Sequence, residues 1–567
     1  MYSIAKNVQI VIALLKKHGI SQLILSPGGT NAAFIRGVQD DPFFHCFSIV
    51  DERSALYFAI GIYLSTGKPV AVCCTSAQAT RNYIPGLTEA YYKHVPILAI
   101  TFSKHPHYTY QEYMQAPDQT SLPRDAVKAS YPLPYVSNEH DRMQCERMVN
   151  EAILDLTHGV PYPIQLNVPM LDTELTKDTA EVLPMVKVIK RYSKEEIKGV
   201  VDLDLSNKKV LIVVGENRGF NDSAISNFAS STNTVIYVNH LSNMNNDYTI
   251  HGNLFLTCVS QTEFDEIFCP DILITIGGQT GDYPLYHRLA GSTKGYEHWR
   301  ISKKGDVVDT YDHLTKVFEC SAEEFFASVN LPCGKNDYIS LWNNAVNEYP
   351  TNFELPLSTA FVAQQMCEII PEGSIVNFSI LNSLRMWNLF NFKNHVSCYC
   401  NVGAFGIDGC LSTFLGQSVM VENLCFMFMG DLSFFYDMNS LGIRHIKNNV
   451  RIVVINNNGG IEFKLGIGSS ERKKKIDNFI AGANHFKNAE GWARTNGFDY
   501  YPVCDKESFI KLKDTLVTES EAPIFVEVFT SDTDDSIAYS LLKKVKDNRS
   551  MKRKVVDRIK KEIKKII

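Results

Sequence analysis

The sequence predicts an α/β protein built from three doubly wound parallel-sheet domains, and three observations carry that prediction. Short apolar runs rich in β-branched residues alternate with helical patterns along nearly all of the 567 residues. A chain of this length exceeds what one core organises and accommodates about two to four domains. Two more polar stretches, about 171–208 and around LPCGKNDYIS (331–340), divide the alternation into comparable parts. The expected domains are residues 1–178, 179–345 and 346–540, followed by a basic tail at 541–567.

Taken in order, MYSIAKNVQIVIALLKKHG places Ile4, Val8, Val11 or Ile12 and Leu15 at helical spacing. Lys6, Asn7 and Gln9 interrupt the apolar run and no small-residue cleavage site follows, so a helix is expected and a signal sequence is not. Strand-like runs come next at LIL (23–25), FSIV (47–50), VAVCCT (70–75), PILAITF (96–102) and PIQLNVP (163–169), with helical patterns at Ser54–Ser65 and Asn82–Tyr91. The second part has KVLIVVG (209–215), TVIYVN (234–239) and PDILITIGG (270–278). The third has GSIVNFS (373–379), LCFMFMGD (424–431), VRIVVINN (450–457) and PIFVEVFT (523–530), with a helix expected over Asp437–His445. Three successive α/β units of one class suggest ancient duplication.

Charge and cysteine usage narrow the function classes. The net charge is −6, but Lys543–Ile567 holds twelve Lys/Arg against three Asp/Glu, leaving about −15 on the rest. Nucleic-acid binders concentrate positive charge over the folded body, so none is expected here. The tail's Val555, Val556, Ile559, Ile563, Ile566 and Ile567 fall largely on one helical face, a pattern that fits either a membrane-surface helix or a terminal helix packed on its own subunit. No apolar stretch approaches bilayer length. Fourteen cysteines without a C-x-x-C read as reduced core residues, and a cytoplasmic protein is expected.

Two strand ends carry chemistry. LCFMFMGD ends on Asp431, and VRIVVINNNGG brings Asn457 to the equivalent place one βα unit later. Ligands of open parallel sheets sit beyond the carboxyl ends of the strands. Asp431, the Asn457 amide oxygen and the Gly459 carbonyl are hard oxygen donors, too few to fill an octahedron, which suits Mg²⁺ (or Mn²⁺) completed by phosphate oxygens. Asx turns would account for either motif alone. Glu52 begins a helical pattern directly after FSIV, among apolar neighbours and placed to share a proton; it also fits a helix-terminal carboxylate or a partner of Arg53.

GDLSFFYDMNS (430–440) followed by NNNGG (456–460) resembles the signature of thiamine-diphosphate enzymes, with Leu432 in place of a usual glycine. Within that superfamily, GDLS…YD with NNNGG is similar to the menaquinone-pathway synthase of succinyl-enolpyruvyl-hydroxycyclohexene-carboxylate (SEPHCHC synthase). SIVDERSALYFAIGIYLSTGKPVAVCCTSAQAT (48–80), GGQTGDYPLYHRLAG (277–291), YEHWRISKKGDVVDTYDH (296–313), NVGAFGIDGCLST (401–413) and DTDD (532–535) extend the resemblance over residues 1 to about 540. It implies that Glu52 hydrogen-bonds the aminopyrimidine of thiamine diphosphate and that Asp431, Asn457 and Gly459 bind the metal. It further implies cofactor contacts from Thr75, Ser76, Asn382, Ser383, Ile407, Leu432, Ser433 and Gly460. Because Glu52 and the metal ligands belong to different domains, the resemblance implies sites between subunits of a homodimer or homotetramer.

The departures from that family concern substrate. SPGGTN has Gly29 and Thr30 where the family has serine and arginine; Val402 and Trp387 each replace an arginine, and Asp282-Tyr283 replaces a Lys-Arg pair. Lys104 stands for another arginine, and Gln115 matches a substrate-facing glutamine. His105 and His107 of KHPHY are candidate proton relays, and Phe463 joins the substrate-facing set. Each lost Arg–carboxylate contact removes roughly 1.5–3 kcal/mol of charged hydrogen bonding. The resemblance therefore implies decarboxylation of a 2-oxo acid, such as 2-oxoglutarate or a pyruvate-like acid, and transfer of the acyl anion to an acceptor other than isochorismate. A true SEPHCHC synthase, a simple 2-oxo acid decarboxylase and a scaffold without chemistry are the alternatives. Arg36, Arg81, Arg385, His105 or His107 would have to supply replacement charge for the first of these.

Overall fold

A computed structural model of the chain describes residues 2–171, 174, 178–200, 205, 208–217, 219, 222–329, 336–350, 352–465, 479 and 484–543. The basic tail from 544 onward lies outside the described residues. The chain forms two compact units, one of residues 1–192 with 305–317 and one of residues 193–304 with 318–567. Three sheets with parallel strand pairing and helices between the strands make it an α/β protein of the expected class.

The first unit holds six parallel strands in the spatial order His45–Ser48, Gln22–Leu25, Val70–Cys74, Ile97–Lys104, Ile164–Met170, Ala129–Pro132. Val70–Cys74 and Ile164–Met170 are buried throughout: VAVCC is apolar without a break, and Gln165 and Asn167 of IQLNVPM are buried with hydrogen bonds to Thr101, the Gln119 carbonyl and Ser103. The helix Lys6–Lys17 buries Val8, Val11, Ile12 and Leu15. FSIV was expected to be strand to its end, but the strand stops at Ser48; Val50 is exposed and Asp51 caps the next helix.

The second unit holds two sheets. One belongs to a seven-stranded sheet whose first five strands pair in parallel in the order Thr249–His251, Thr234–Val238, Val210–Val214, Ile272–Ile276, Glu297–Ile301. The other has six, in the order Ser397–Cys400, Ile375–Phe378, Cys425–Gly430, Val450–Asn456, Ile524–Phe529, Asp499–Val503. Numbered along the chain, this last sheet and that of the first unit share one order, 2-1-3-4-6-5. The helix expected over Asp437–His445 begins earlier, at Asp431, and ends at Asp437 in a 3₁₀ turn over Met438–Gly442. Gly430, extended at φ −82°, lets the strand turn straight into it. The linker expected around 331–340 is helical from Asp337, because Asn336 caps the Ile339 N–H.

Trp387 is buried against Phe428 and Phe392, and its carbonyl accepts from His240 Nε2 at 2.9 Å. Burial lowers the His240 pKa to about 4, and burial together with His240 lowers that of His251 to about 3. As pH falls through 6.5 the unfolded chain takes up protons that these folded imidazoles refuse, so stability is lost on acidification and regained as pH rises. For His240 alone the loss at pH 5 is about 2 kcal/mol. Denaturant titrations at pH 7 and pH 5 should show it, with a smaller difference in His240→Gln.

Every described cysteine is a free thiol, most of them buried, and none is oxidised to a disulfide. Among the described residues no helix is long and apolar enough to cross a membrane.

Candidate active site

The order 2-1-3-4-6-5 reverses direction between its first and third strands, and a crevice opens at the carboxyl ends of such neighbours. In the second unit those strands are Ile375–Phe378 and Cys425–Gly430. The helix after the first, Asn382–Trp387, begins with Asn382 and Ser383; the second strand runs directly into Asp431. The fourth strand, Val450–Asn456, delivers Asn457 and Gly459 beside them.

Asp431 is 2% exposed. Its Oδ1 accepts from the Leu432 N–H at 2.7 Å, and its Oδ2 accepts from the Gly459 N–H and from His485 Nε2, both at 3.0 Å. Burial raises its pKa, against the opposing pull of His485 and the Leu432 N–H. The Asn457 Nδ2 donates to Asp535 Oδ2 at 3.2 Å, which turns the amide oxygen away from Asp535. Asp535 is itself buried, which raises its pKa; it also accepts from the Thr359 N–H and the Thr530 hydroxyl. The Thr359 hydroxyl accepts from Asn382 Nδ2, and the Asn382 Oδ1 is buried without a hydrogen-bond partner. One network thus runs from Asn457 through Asp535 and Thr359 to Asn382, leaving amide oxygens at both ends. Ser433 Oγ donates to the Ile407 carbonyl at 2.6 Å, and Ser383 Oγ accepts from Ser379 Oγ. Gly460 precedes the 3₁₀ turn Ile461–Phe463, and Phe463 is half exposed. The acceptor oxygens of Asp431 and Asn457 and the Gly459 carbonyl are hard donors of the kind that suit a divalent cation bearing phosphate oxygens.

In the first unit the corresponding crevice lies between Gln22–Leu25 and Val70–Cys74. A Cβ at Gly28 would stand 2.3 Å from the Thr75 Cβ, so glycine is needed where these loops meet. Thr30 is buried, donating its N–H to Thr75 Oγ1 at 3.1 Å and pairing with Ser76 Oγ at 2.9 Å; Gly29 beside it is exposed. Glu52 is half-buried and Oε2 accepts from Asn82 Nδ2 at 2.9 Å. Capping of its helix falls to Asp51, which accepts from the Arg53 N–H and the Ser54 hydroxyl and is also the neighbour of the Arg53 guanidinium. Glu52 is left with neither of those structural duties.

Ala77, where the resembling family has glycine, adopts φ +69° and ψ −125°, a region that suits glycine. Ala77→Gly should raise stability by about 1 kcal/mol, read as a higher denaturation midpoint with an unchanged slope. The Ala77 N–H donates to Gln119 Oε1 at 2.9 Å, and Gln119 also donates to Thr80 and to the Phe102 carbonyl. Gln119 is thus the buried glutamine of QAPDQ, whereas Gln115 is exposed at φ +59°. Lys104 ends its strand half-buried. His105 Nδ1 accepts from the His107 N–H, and the His105 ring packs edge-on to Tyr135; His107 is exposed.

Of the other substrate candidates, Trp387 and Val402 lie within the apolar core of the third sheet. Asp282 is the buried N-cap of Tyr283–Ala290, accepting from the Leu285 N–H and the Tyr237 hydroxyl. The residues that sequence reasoning missed are His485, Asp535 and Gln119. DTDD and QAPDQ held the last two in view; nothing in NHFKN marked His485.

Residues 6–122 match the family described as "Thiamine pyrophosphate enzyme, N-terminal TPP binding domain". With two like-ordered sheets and an oxygen-donor set at paired strand ends, the chain is a thiamine-diphosphate enzyme that uses a divalent metal such as Mg²⁺, and its chemistry is that of a decarboxylating transferase or carboligase. The 2-succinyl-5-enolpyruvyl-6-hydroxy-3-cyclohexene-1-carboxylate synthase of Bacteroides fragilis is 33% identical over 94% of this chain and 98% of its own length. That of Phocaeicola vulgatus is 34% identical over 94% and 97%, and that of Flavobacterium johnsoniae 28% over 92% and 95%. The chain belongs to this synthase family.

Proposed function

We propose that the enzyme decarboxylates a 2-oxo acid and transfers the acyl unit to an acceptor that carries less negative charge than isochorismate. Thiamine diphosphate, when bound, supplies the electron sink for loss of CO₂. In this reading Asp431, Asn457 and the Gly459 carbonyl hold the metal. Thr75, Ser76, Asn382, Ser383, Ile407, Leu432, Ser433 and Gly460 seat the cofactor, and Glu52 holds the proton shared with its pyrimidine ring.

The observation that carries the acceptor assignment is the state of Arg385. It stands in the same helix as Trp387 and is one of the cations that could replace a lost one. Both its Nη atoms are engaged by Glu462, at 2.7 and 2.6 Å, and its guanidinium lies over the Tyr283 ring at 5.6 Å. Arg81 likewise donates to the Asp118 carbonyl. A cation already paired with a carboxylate contributes little to holding a further one. The near-full-length identity to SEPHCHC synthases favours a second reading, in which 2-oxoglutarate and isochorismate are the substrates. Incubating the holoenzyme with 2-oxoglutarate and either isochorismate or a panel of neutral ketones and enones separates the two. Efficient adduct formation with isochorismate would overturn the first reading, and aldehyde release without acceptor would indicate a simple decarboxylase.

The active oligomer is proposed to be at least a homodimer. Val50, Tyr57, Phe58 and Leu64, on and just before the helix that begins with Glu52, are exposed apolar side chains that a second copy would cover. Phe58→Asp should shift the sedimentation coefficient toward that of a monomer.

A further inference from the structure

The Asp431 carboxylate is held by a histidine that the metal motif does not contain. His485 Nε2 lies 3.0 Å from Asp431 Oδ2, and its side chain is 9% exposed. The imidazole packs edge-on to Phe435, one helical turn beyond Asp431, with ring centroids 5.1 Å apart. Its main chain is tied to the metal loop as well, through the His485 N–H and the Asn458 carbonyl.

The hydrogen bonds fix what this imidazole does. Nδ1 accepts the Lys487 backbone N–H at 2.9 Å, so Nδ1 is unprotonated and the neutral ring carries its hydrogen on Nε2. A protonated Nε2 has no lone pair for a cation, and it donates to Oδ2. That oxygen also takes the Gly459 N–H, which uses both of its lone pairs. Oδ1 takes only the Leu432 N–H and keeps one.

We propose that His485 is a positioning residue for the metal centre: it clamps Oδ2 from outside the coordination shell, so that Asp431 presents Oδ1 alone to the cation. The clamp also offsets the burial of a carboxylate before the metal arrives. The inference deepens the metal assignment made above and does not depend on the acceptor.

The test is Mn²⁺ titration with saturating thiamine diphosphate, reading free Mn²⁺ by electron paramagnetic resonance, on wild type, His485→Ala and His485→Gln. Loss of the clamp should weaken Mn²⁺ binding about 10–100-fold in His485→Ala. Glutamine, which restores an N–H donor, should recover part of that loss. Circular dichroism of each variant shows whether it is folded; if His485→Ala does not fold, the His485→Gln titration and the wild-type spectrum below still decide. Unchanged affinity in folded His485→Ala, or equal loss in both variants, overturns the clamp. Pulsed electron paramagnetic resonance of wild-type Mn²⁺ holoenzyme should show no directly coordinated imidazole ¹⁴N. Such a coupling would make His485 a ligand and overturn its placement outside the shell. Loss of Mn²⁺ binding in His485→Ala with undiminished binding in Asp431→Ala would instead overturn the metal site itself.

Discussion

Glu52→Gln should lower the rate of CO₂ release from a 2-oxo acid about 10²–10⁴-fold while leaving thiamine diphosphate bound. Glutamine matches the shape of glutamate and can still meet Asn82, which donates to Glu52 Oε2, but it cannot take up or return a proton. Structural damage is expected to be slight, because the helix cap belongs to Asp51 and the exposed Arg53 faces that same residue. Single-turnover CO₂ release measures the chemical step, and quenching of protein fluorescence by the cofactor measures binding. Full-rate turnover in the variant would sink the proton-sharing role assigned to Glu52.

Asp431→Ala should abolish turnover by removing the cation. A ligand contributes more than its outer-sphere supports, so Mn²⁺ affinity is expected to fall by more than about 100-fold. The wild-type site should show a matching pH dependence. Burial raises the Asp431 pKa, so a proton competes for the carboxylate at a higher pH than for an ordinary aspartate. Metal affinity should therefore decline as pH falls toward that raised value and recover as pH rises. Isothermal titration at several pH values resolves the trend; an Asp431→Ala protein that binds Mn²⁺ normally would remove Asp431 from the metal site.

The central strands were legible in the sequence because they are buried on both faces and therefore mostly apolar, with Arg451 an exception whose guanidinium bonds backbone carbonyls. Val70–Cys74, Val210–Val214, Ile272–Ile276, Cys425–Gly430 and Val450–Asn456 all fall within runs read from pattern alone. Edge strands carry no such signature. Ala129–Pro132, Thr249–His251, Ser397–Cys400 and Asp499–Val503 are short and half polar, and pattern reading passed over each. Glu297–Ile301 lies inside its sheet but reads EHWRI, too mixed to announce a strand. The metal motif was legible because its spacing repeats a structural unit. Gln119 and His485 were not, since each acts through a loop whose path only the fold determines. Trp387 illustrates the converse: an aromatic standing where the family has a cation reads as a pocket wall, yet it packs against Phe428 and Phe392.

The strand order shared by the first and last sheets separates two evolutionary burdens. The sheet of the first unit and the sheet that leads into Asp431 share one strand order, each with its own reversal point. Val402 and Trp387 lie in the later sheet's core, whereas Thr30 and Ala77 stand by the earlier crevice, so each sheet carries its own departures from the family pattern.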